Sequence, residues 1–387
     1  MRSILDELDK LRGGEPAVID LTNSNRYRLL VQEQNGEKTA YYFAVPIYRR
    51  RDRKLLDFRF EEVDGESRFY GSNACVTASR SVTLQNREGS CRIPMPEGYE
   101  RRDGSCVCYR GVELYPTANG IACRVTPEEG NQFSFSIYTD KPFLCVKNNK
   151  KYFALMSEQF RPFMTVSCIG AEDGKGEVIA PAEITYQTKS ETEFSVCVYT
   201  KESRAASILF EINLHVEKLF QDTTVESKHP NRNNAYGGTA FLGSCDSFGE
   251  QWLYTRILFS PMRDLSRAEV RSVVLYDPVF NDSALSLAAF DLSVRFCSFA
   301  SNWNNKKVVG GEVARSERID GYQRLDLTDL LTKNGKLVNK SEGVVLKGAE
   351  RDGGFCVLST GDNFYAPQIL AIRYRDTQET VIGKEKP

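Results

Sequence analysis

The sequence predicts an all-β protein made of antiparallel β-sandwich domains of a jelly-roll-like kind, with one short helix at the N-terminus. Two observations support this prediction. From Ala17 onward, short runs of β-branched and aromatic residues are broken roughly every ten residues by turn formers, as is typical of sandwiches and barrels. Helical periodicity is almost absent beyond the first residues of the chain.

The helix is predicted within residues 1–14. Leu5, Leu8 and Leu11 recur at helical spacing before a pair of glycines ends the pattern, and Ile4 lies beside them. Such an amphipathic segment packs against the first domain or against a partner chain. Its acidic residues interrupt the apolar core that a signal peptide needs. We therefore expect a protein that is made and folded in the cytoplasm and is later released or associated with a particle.

The strands begin with a predicted hairpin. Runs at residues 27–32 and 39–45 flank Asn35-Gly36, a pair that favours a type I′ turn because both central positions of that turn need positive φ. Further strand-like runs of the N-terminal region lie at residues 55–60, 69–70, 111–115, 121–125, 133–138 and 152–156.

Length and charge limit the organisation and the partners of the chain. Its 387 residues exceed what one core usually serves, so we divide it into the helix, a sandwich region of one or two modules at 15–210, and a second sandwich at 211–387. The 51 basic and 52 acidic residues leave no overall footprint for nucleic acid. No apolar run reaches the roughly 18 residues of a membrane span.

Eleven cysteines, an odd number, are spread through strand-like segments. This pattern favours small core residues in a reducing compartment. Cys106 and Cys108 form a close pair that lacks the two-residue gap of zinc and redox motifs, and His215 and His229 have no partners at ligand spacing. We therefore expect no metal site built from Cys and His.

Five features recur in order toward the C-terminus. They are an Asp-Thr strand opening at Asp222 with an Asn/Gly loop behind it, an Arg-apolar-Leu-Phe strand at 256–259, Trp303 after a central strand at 294–298, a Gly-apolar-x-Leu strand at 343–346, and a Pro-x-x-Leu-x-x-x-Tyr terminus at 367–374. This set resembles the DNRLRE domain family. These β-sandwiches are related in architecture to carbohydrate-binding modules and are found mostly in bacterial surface and appendage proteins.

The resemblance implies non-enzymatic recognition of a glycan or cell-surface polymer by a bacterial or phage-borne appendage. Two alternatives stay open. One is a structural protein that self-assembles as a homo-oligomer or as subunits of a particle, tail or coat, and the other is a glycan-active enzyme with an appended binding module. The sequence lacks nucleophile-elbow, phosphate-loop, dinucleotide and zinc-protease motifs. Paired carboxylates for glycoside cleavage stay open, because their separation depends on the fold.

Candidate ligand-binding residues combine aromatic rings, which cover sugar faces, with amides that bind hydroxyls. They are Tyr236, Trp252, Trp303, Asn304, Asn305 and Tyr365. Packing in the core or at a sheet edge also explains both tryptophans, and more commonly, since large aromatics are usually buried. The two tyrosines lie in turn-rich loops, and we expect them to be more exposed.

A calcium ion is the one cofactor for which the sequence offers ligands. Asp222, Asn231, Asn233 and Asn234 carry oxygens of the kind that calcium takes from flexible loops. Turn formation explains the asparagines more simply, and no EF-hand spacing fixes the ligand set.

The densest basic run is residues 48–54, which include Arg49, Arg50 and Arg51. It lies in a hairpin-like connection. Two interpretations are open: contact with a polyanion or an acidic partner subunit, and a solvated loop that discourages edge pairing.

Overall fold

The structure is a computed structural model that describes residues 3–15, 17–128, 130–146, 150–258, 260–338, 342–349 and 354–376. Some predicted features extend outside the described residues. These are the start of the helical segment at residues 1 and 2, Phe259 in the Arg-apolar-Leu-Phe strand, and the last residues of the C-terminal domain at 377–387. Within the described ranges, no helix has the length and apolar character needed to cross a membrane.

The chain begins with helix α1 (Ile4–Leu11) and continues mostly as β-strands. The strands of the first half are β1 (Val18–Asn25), β2 (Arg28–Gln32), β3 (Lys38–Phe43), β4 (Glu61–Val63), β5 (Glu66–Tyr70), β6 (Cys75–Ala78), β7 (Ser81–Asn86), β8 (Gly89–Pro94), β9 (Glu100–Arg102), β10 (Cys106–Tyr109), β11 (Val112–Thr117), β12 (Gly120–Val125), β13 (Gln132–Thr139), β14 (Leu144–Val146), β15 (Tyr152–Met156), β16 (Pro162–Glu172), β17 (Val178–Ala180), β18 (Glu183–Ser190), β19 (Glu193–Tyr199) and β20 (Ser207–Leu214).

The second half is also built mainly of strands. They are β21 (Phe220–Glu226), β22 (Thr239–Cys245), β23 (Gly249–Ile257), β24 (Glu269–Pro278), β25 (Leu287–Leu292), β26 (Val309–Ile319), β27 (Tyr322–Asp326), β28 (Thr332–Lys333), β29 (Lys336–Leu337), β30 (Val344–Gly348), β31 (Phe355–Ser359) and β32 (Ile369–Arg375). A 3₁₀ segment at Ser260–Arg267 follows β23, and the one-turn helix α2 (Thr328–Leu331) follows β27. The all-β prediction with a short N-terminal helix is confirmed.

The N-terminal sandwich consists of two antiparallel sheets. One has the order β14-β15-β16-β20-β12-β11-β10-β9 with β17 beside β16, and the other has the order β18-β19-β13-β8-β7-β6-β5-β4. Leu114 and Phe153 of the first sheet share a core with Leu84 and Phe194 of the second, and all four side chains are fully buried. The predicted run at 55–60 is an exception, since it forms only isolated bridges at Leu55 and Asp57.

The C-terminal sandwich folds from one thirteen-stranded sheet. Its order is β1-β2-β3-β32-β24-β27-β26-β25-β30-β23-β22-β31, with β21 beside β23. β26 joins the two layers, because it pairs with β25 in its first half and with β27 in its second half. The core between the layers holds Tyr42, Leu275 and Ile372 from one side and Leu253 and Leu346 from the other.

Strands β1 to β3 connect the two sandwiches. β3 pairs with β32 from Lys38↔Tyr374 to Phe43↔Ile369, so residues 18–43 belong to the C-terminal sheet although they precede it in sequence. The boundary predicted at residue 210 therefore does not separate the two sheets. Leu30 packs in the C-terminal core while its neighbour Leu29 packs in the N-terminal core. Burial on both faces explains why residues 29–31 are continuously apolar instead of alternating.

Helix α1 lies against the N-terminal core. Ile4 and Leu8 are 0% and 2% exposed, whereas Leu5 on the neighbouring face is 38% exposed. The Ser3 hydroxyl caps the helix by accepting a hydrogen bond from the Leu5 N–H (3.1 Å). The Arg12 guanidinium binds the Glu33 carboxylate in the β2–β3 loop at 2.8 Å, which ties the end of the helix to that hairpin.

The structure differs from two local predictions. The hairpin around Asn35-Gly36 is present, but only Gly36 has positive φ (+79°), so the turn is not type I′. Its loop is longer, because the Glu33 N–H donates to the Glu37 carbonyl before the turn. The central strand expected at residues 294–298 is a loop instead. This loop forms part of the site described next.

Candidate ligand-binding cleft

A cleft of about 680 Å³ opens where the chain leaves the N-terminal sandwich and enters β21. Residues 215–222 form one wall, and Tyr236, Phe299 and Asp362 contribute to the others. The size is in the range of small-molecule sites, which typically combine aromatic walls with a few polar groups.

The aromatic part of the cleft centres on Tyr236. Its ring lies 5.3 Å from the ring of Tyr152 and 5.4 Å from the ring of Phe299, measured between centroids, and both contacts are edge-on. The expectation that Tyr236 is exposed is wrong, because these rings enclose it and leave it 6% exposed. Phe299 itself is 61% exposed and forms the rim.

Hydrogen bonds hold the 298–301 loop against the cleft. The Asn233 amide donates to the carbonyls of Ser298 (2.6 Å) and Ser301 (2.7 Å). The Gln221 amide donates to the Ser298 hydroxyl at 3.2 Å. Because these bonds come from β21 and from the loop after it, they fix Phe299 at the mouth of the cleft.

The largely buried polar part of the cleft contains one ammonium and two carboxylates, and Glu217 and Arg295 add one further charge of each sign to the lining. The Lys218 ammonium pairs with Asp362 and lies 5.4 Å from the centroid of the Tyr236 ring. Asp222 is 2% exposed, and its Oδ2 accepts a hydrogen bond from the Gly361 N–H. Its Oδ1 is also buried and has no hydrogen-bond partner among the described residues. That oxygen is therefore an unsatisfied acceptor in a residue that lines the cleft.

Burial shifts the titration of these groups. It raises the pKa of Asp222 to about 6, partly offset by the Lys218 charge and the Gly361 hydrogen bond. It lowers the pKa of Lys218 to about 8, partly offset by Asp222 and Glu211. Burial and then Lys218 lower the pKa of His215 to about 4, so this ring is neutral at pH 7. The cleft therefore offers both donors and acceptors near neutral pH.

Trp252 and Trp303 form a second aromatic group away from the cleft. Their ring centroids lie 5.0 Å apart, and both rings are half-buried against a small cluster that includes Tyr254. The Lys347 ammonium lies 3.6 Å from the centroid of Trp252, and the Lys306 ammonium lies 4.4 Å from that of Trp303. Because an ammonium covers a face of each ring, the contacts favour the packing interpretation of the tryptophans over a sugar platform.

The remaining candidates make contacts within the protein. The Asn304 amide donates to the Asn231 side chain at 2.7 Å, and the Asn305 amide donates to the Ala300 carbonyl at 2.9 Å. Both asparagines are exposed and stabilise the loop that carries Trp303. Tyr365 is half-buried with its ring 6.1 Å from that of Tyr115, and it does not line the cleft.

The contacts of the four possible calcium ligands favour turn formation over a calcium site. Asn233 and Asn234 use their amide nitrogens as donors, the latter to the Thr224 hydroxyl at 2.9 Å. Asn231 accepts from Asn304, and Asp222 accepts from the Gly361 backbone. No cluster of three or more His, Cys, Asp or Glu suited to a metal ion occurs in the described part of the chain. The four predicted ligands do not fit a calcium ion, and the asparagines stabilise loops.

Sequence reasoning found Tyr236 and Asp222 but missed Lys218, Phe299 and Asp362. Lys218 and Asp362 are 144 positions apart, so no local pattern connects them. Phe299 follows a segment that was expected to be a strand. The only local signal was the mixture of His, Lys and Asp with apolar residues at 215–222, where the fold was expected to change from one module to the next.

No protein-family model matches the sequence, and no curated protein matches it. The resemblance of the C-terminal part to DNRLRE domains therefore stays a prediction. Within the described residues, four of its five features overlap strands, namely β21, β23, β30 and β32.

Proposed function

We propose that the protein recognises a glycan or another cell-surface polymer without catalysis, and that the cleft beside β21 holds a sugar unit of that ligand. The observation that carries the proposal is the meeting of aromatic rings with a buried ammonium and two carboxylates in one cleft. Aromatic faces cover the apolar faces of sugars, and charged or amide groups bind their hydroxyls.

The individual groups fit this role. The unpartnered Oδ1 of Asp222 accepts from a hydroxyl, and the Lys218 ammonium donates to one. Phe299 and Tyr236 offer ring surface at the rim and in the wall. Because the cleft is open to solvent at Phe299, a terminal or branching sugar enters while the rest of the polymer stays outside.

The proposed biological setting of the protein is supported by features of the sequence. The resemblance to DNRLRE domains supports a role on a bacterial or phage-borne appendage, and the many thiols support folding in the cytoplasm before the protein meets its target.

A glycan array followed by calorimetric titration of the best ligand tests the proposal. We expect Phe299→Ala and Asp222→Asn each to weaken binding by about tenfold, since each removes one contact worth roughly 1.4 kcal/mol. Leu144→Ala is the control, because Leu144 is also exposed (45%) but lies on β14, outside the cleft. Absence of any glycan ligand, or equal affinity of the wild type and both cleft variants, contradicts the proposal.

Glycoside cleavage is the second candidate, and one observation favours it. Asp222, whose pKa is raised by burial, and Asp362, which is paired with Lys218, lie in the same cleft in different environments. Such a difference is typical of a general acid and its partner carboxylate. Release of reducing ends by the wild type, but not by Asp222→Asn, identifies an enzyme.

Self-assembly also has a supporting observation. β1 is at the end of the thirteen-stranded sheet, and its Val18 and Leu21 are 69% and 58% exposed. An exposed apolar edge strand is able to pair with a second copy. Light scattering that shows an oligomer for the wild type and a monomer for Leu21→Lys supports assembly through this edge.

A further inference from the structure

A second cleft, of about 720 Å³, lies in the N-terminal sandwich under the basic run. Three segments build it: residues 49–52 of the basic run, the β5–β6 turn at 70–75, and the end of β7 at 85–87. It shares no lining residue with the cleft beside β21. Its chemistry is different as well, since arginines dominate its walls.

The backbone holds the basic run in place over this cleft. The Arg50 N–H donates to the Ser72 carbonyl at 2.9 Å, and the Ser72 N–H donates to the Ala118 carbonyl at 2.9 Å. The Asn73 N–H donates to the Asn119 side chain at 2.8 Å. The connection is therefore attached to the β5–β6 turn, and the turn is attached to the loop between β11 and β12. This rigid support argues against a freely solvated loop.

The charges of the lining residues are strongly unbalanced. Four arginines, Arg49, Arg50, Arg51 and Arg87, face one carboxylate, Asp52. Asp52 lies 3.9 Å from the Arg49 guanidinium, and among the described residues the other three arginines form no ion pair. Uncompensated guanidinium groups around one cleft attract an anion.

Two buried polar atoms point to a ligand inside the cleft. Ser72 is 2% exposed, and its hydroxyl oxygen has no hydrogen-bond partner within the described part of the chain. The Nε of Arg49 is also buried and has no partner there. Buried donors of this kind are normally satisfied by protein, water or ligand atoms. Both belong to residues that line the cleft, where the oxygens of a bound anion would satisfy them.

We infer that this cleft binds a tetrahedral oxyanion, a phosphate or sulfate group, carried as an ester on a polysaccharide. The planar guanidinium donates in pairs to such oxygens, which makes arginine well suited to this geometry. The Ser72 hydroxyl and the Arg49 Nε–H add donors at the buried end. The oxyanion site is argued from this cleft alone, whereas the polysaccharide carrier rests on the proposed function. The two clefts share no lining residue, so binding at one can fail without the other.

The test is calorimetric titration of the full chain with four probes: inorganic phosphate, inorganic sulfate, a heparin-type sulfated oligosaccharide and its desulfated form. We expect the sulfated oligosaccharide to bind, with affinity that falls as salt rises. The double variant Arg50→Gln/Arg87→Gln is expected to bind it at least about tenfold more weakly, because two charged contacts are lost. Ser72→Ala is expected to weaken binding by a few-fold without loss of fold, as judged by circular dichroism.

The control is Arg53→Gln/Lys54→Gln. This double variant also removes two positive charges, both from the basic run, and neither residue lines the cleft. Equal loss of affinity in the control and in the cleft variant overturns the inference. So does a wild type that binds the desulfated oligosaccharide, or a single-stranded DNA of matched charge, as tightly as the sulfated oligosaccharide. Absence of binding to all four probes overturns it too. Binding of an inorganic ion alone supports the oxyanion site and assigns it to the free ion.

Discussion

Asp277 on β24 accepts a hydrogen bond from the side chain of Gln368 in a part of the core that solvent does not reach, and both residues are 0% exposed. The second oxygen of Asp277 has no hydrogen-bond partner among the described residues. Burial raises the pKa of Asp277 to about 8, with the Gln368 hydrogen bond opposing the shift and the Asp222 charge adding to it. Glu211 is also fully buried, and its pKa is raised to about 7. These carboxyls keep their protons at a pH where the unfolded chain has lost them.

The first prediction is that the free energy of unfolding decreases between pH 5 and 8 in a way that depends on Asp277. A carboxyl with a raised folded-state pKa contributes stability that is complete below its unfolded pKa and is lost as pH rises through the folded value. Each such group contributes a slope of at most about 1.4 kcal/mol per pH unit. Asp277→Asn mimics the protonated form, so we expect a flatter profile in urea unfolding at pH 5, 6, 7 and 8.

Comparing the pH profiles of the wild type and Asp277→Asn removes the contributions of other titrating groups. The lowered pKa of His215 acts in the opposite direction, since its contribution is lost as pH falls below about 6.5. His215 is present in both proteins and cancels in the difference. Parallel pH profiles for the wild type and Asp277→Asn would show that Asp277 is ionised in the folded protein at pH 5.

The second prediction concerns the Lys218–Asp362 pair. The side chains are 16% and 8% exposed, so loss of one partner leaves a largely buried charge. Lys218→Met and Asp362→Asn are each expected to lower the free energy of unfolding by about 3 kcal/mol. The double variant is expected to lose less than the sum of the two, because no charge is then left alone. Additive losses in chemical denaturation at pH 7 would mean that the two groups are not coupled.

Most of the fold could be predicted because it depends on local patterns. Alternation along the chain is typical of a strand such as β23, where Leu253 and Ile257 lie on one face and both enter the C-terminal core. The pairing of β3 with β32 could not be predicted, since the strands lie more than 300 positions apart and long-range pairing leaves no local signal. That pairing is why residues 18–43 join the C-terminal sheet.

The clefts were harder to predict than the fold. Tyr236 was named because aromatic residues are common in sugar sites, and Asp222 was named only as a possible calcium ligand. The calcium alternative does not fit the structure, because the sequence does not show which way an asparagine amide points. For the basic run, the sequence favoured a solvated loop and left a polyanion contact as the alternative. Only the structure shows Arg87 and the buried Ser72 beside it.

The third prediction separates packing from ligand binding at the tryptophan pair. Trp303→Ala is expected to lower the free energy of unfolding by about 1 kcal/mol or more, the usual value of an aromatic pair beyond its buried area. Glycan affinity is expected to stay unchanged, because Trp303 does not line the cleft beside β21. The readouts are urea unfolding and titration with the array ligand. Unchanged stability with lost affinity would instead identify the pair as the sugar platform.

The fourth prediction compares two leucines of α1. Leu8 is 2% exposed in the N-terminal core, while Leu5 is 38% exposed on the same helix. Leu8→Ala is expected to cost about 2–5 kcal/mol, because it removes buried methyl groups and leaves a cavity. Leu5→Ala is the control and is expected to change stability by less than about 0.5 kcal/mol, since alanine also suits a helix. Urea unfolding of both variants measures the difference. Equal, small effects would mean that α1 is detached from the core in solution, which would release the helix for contact with a partner chain.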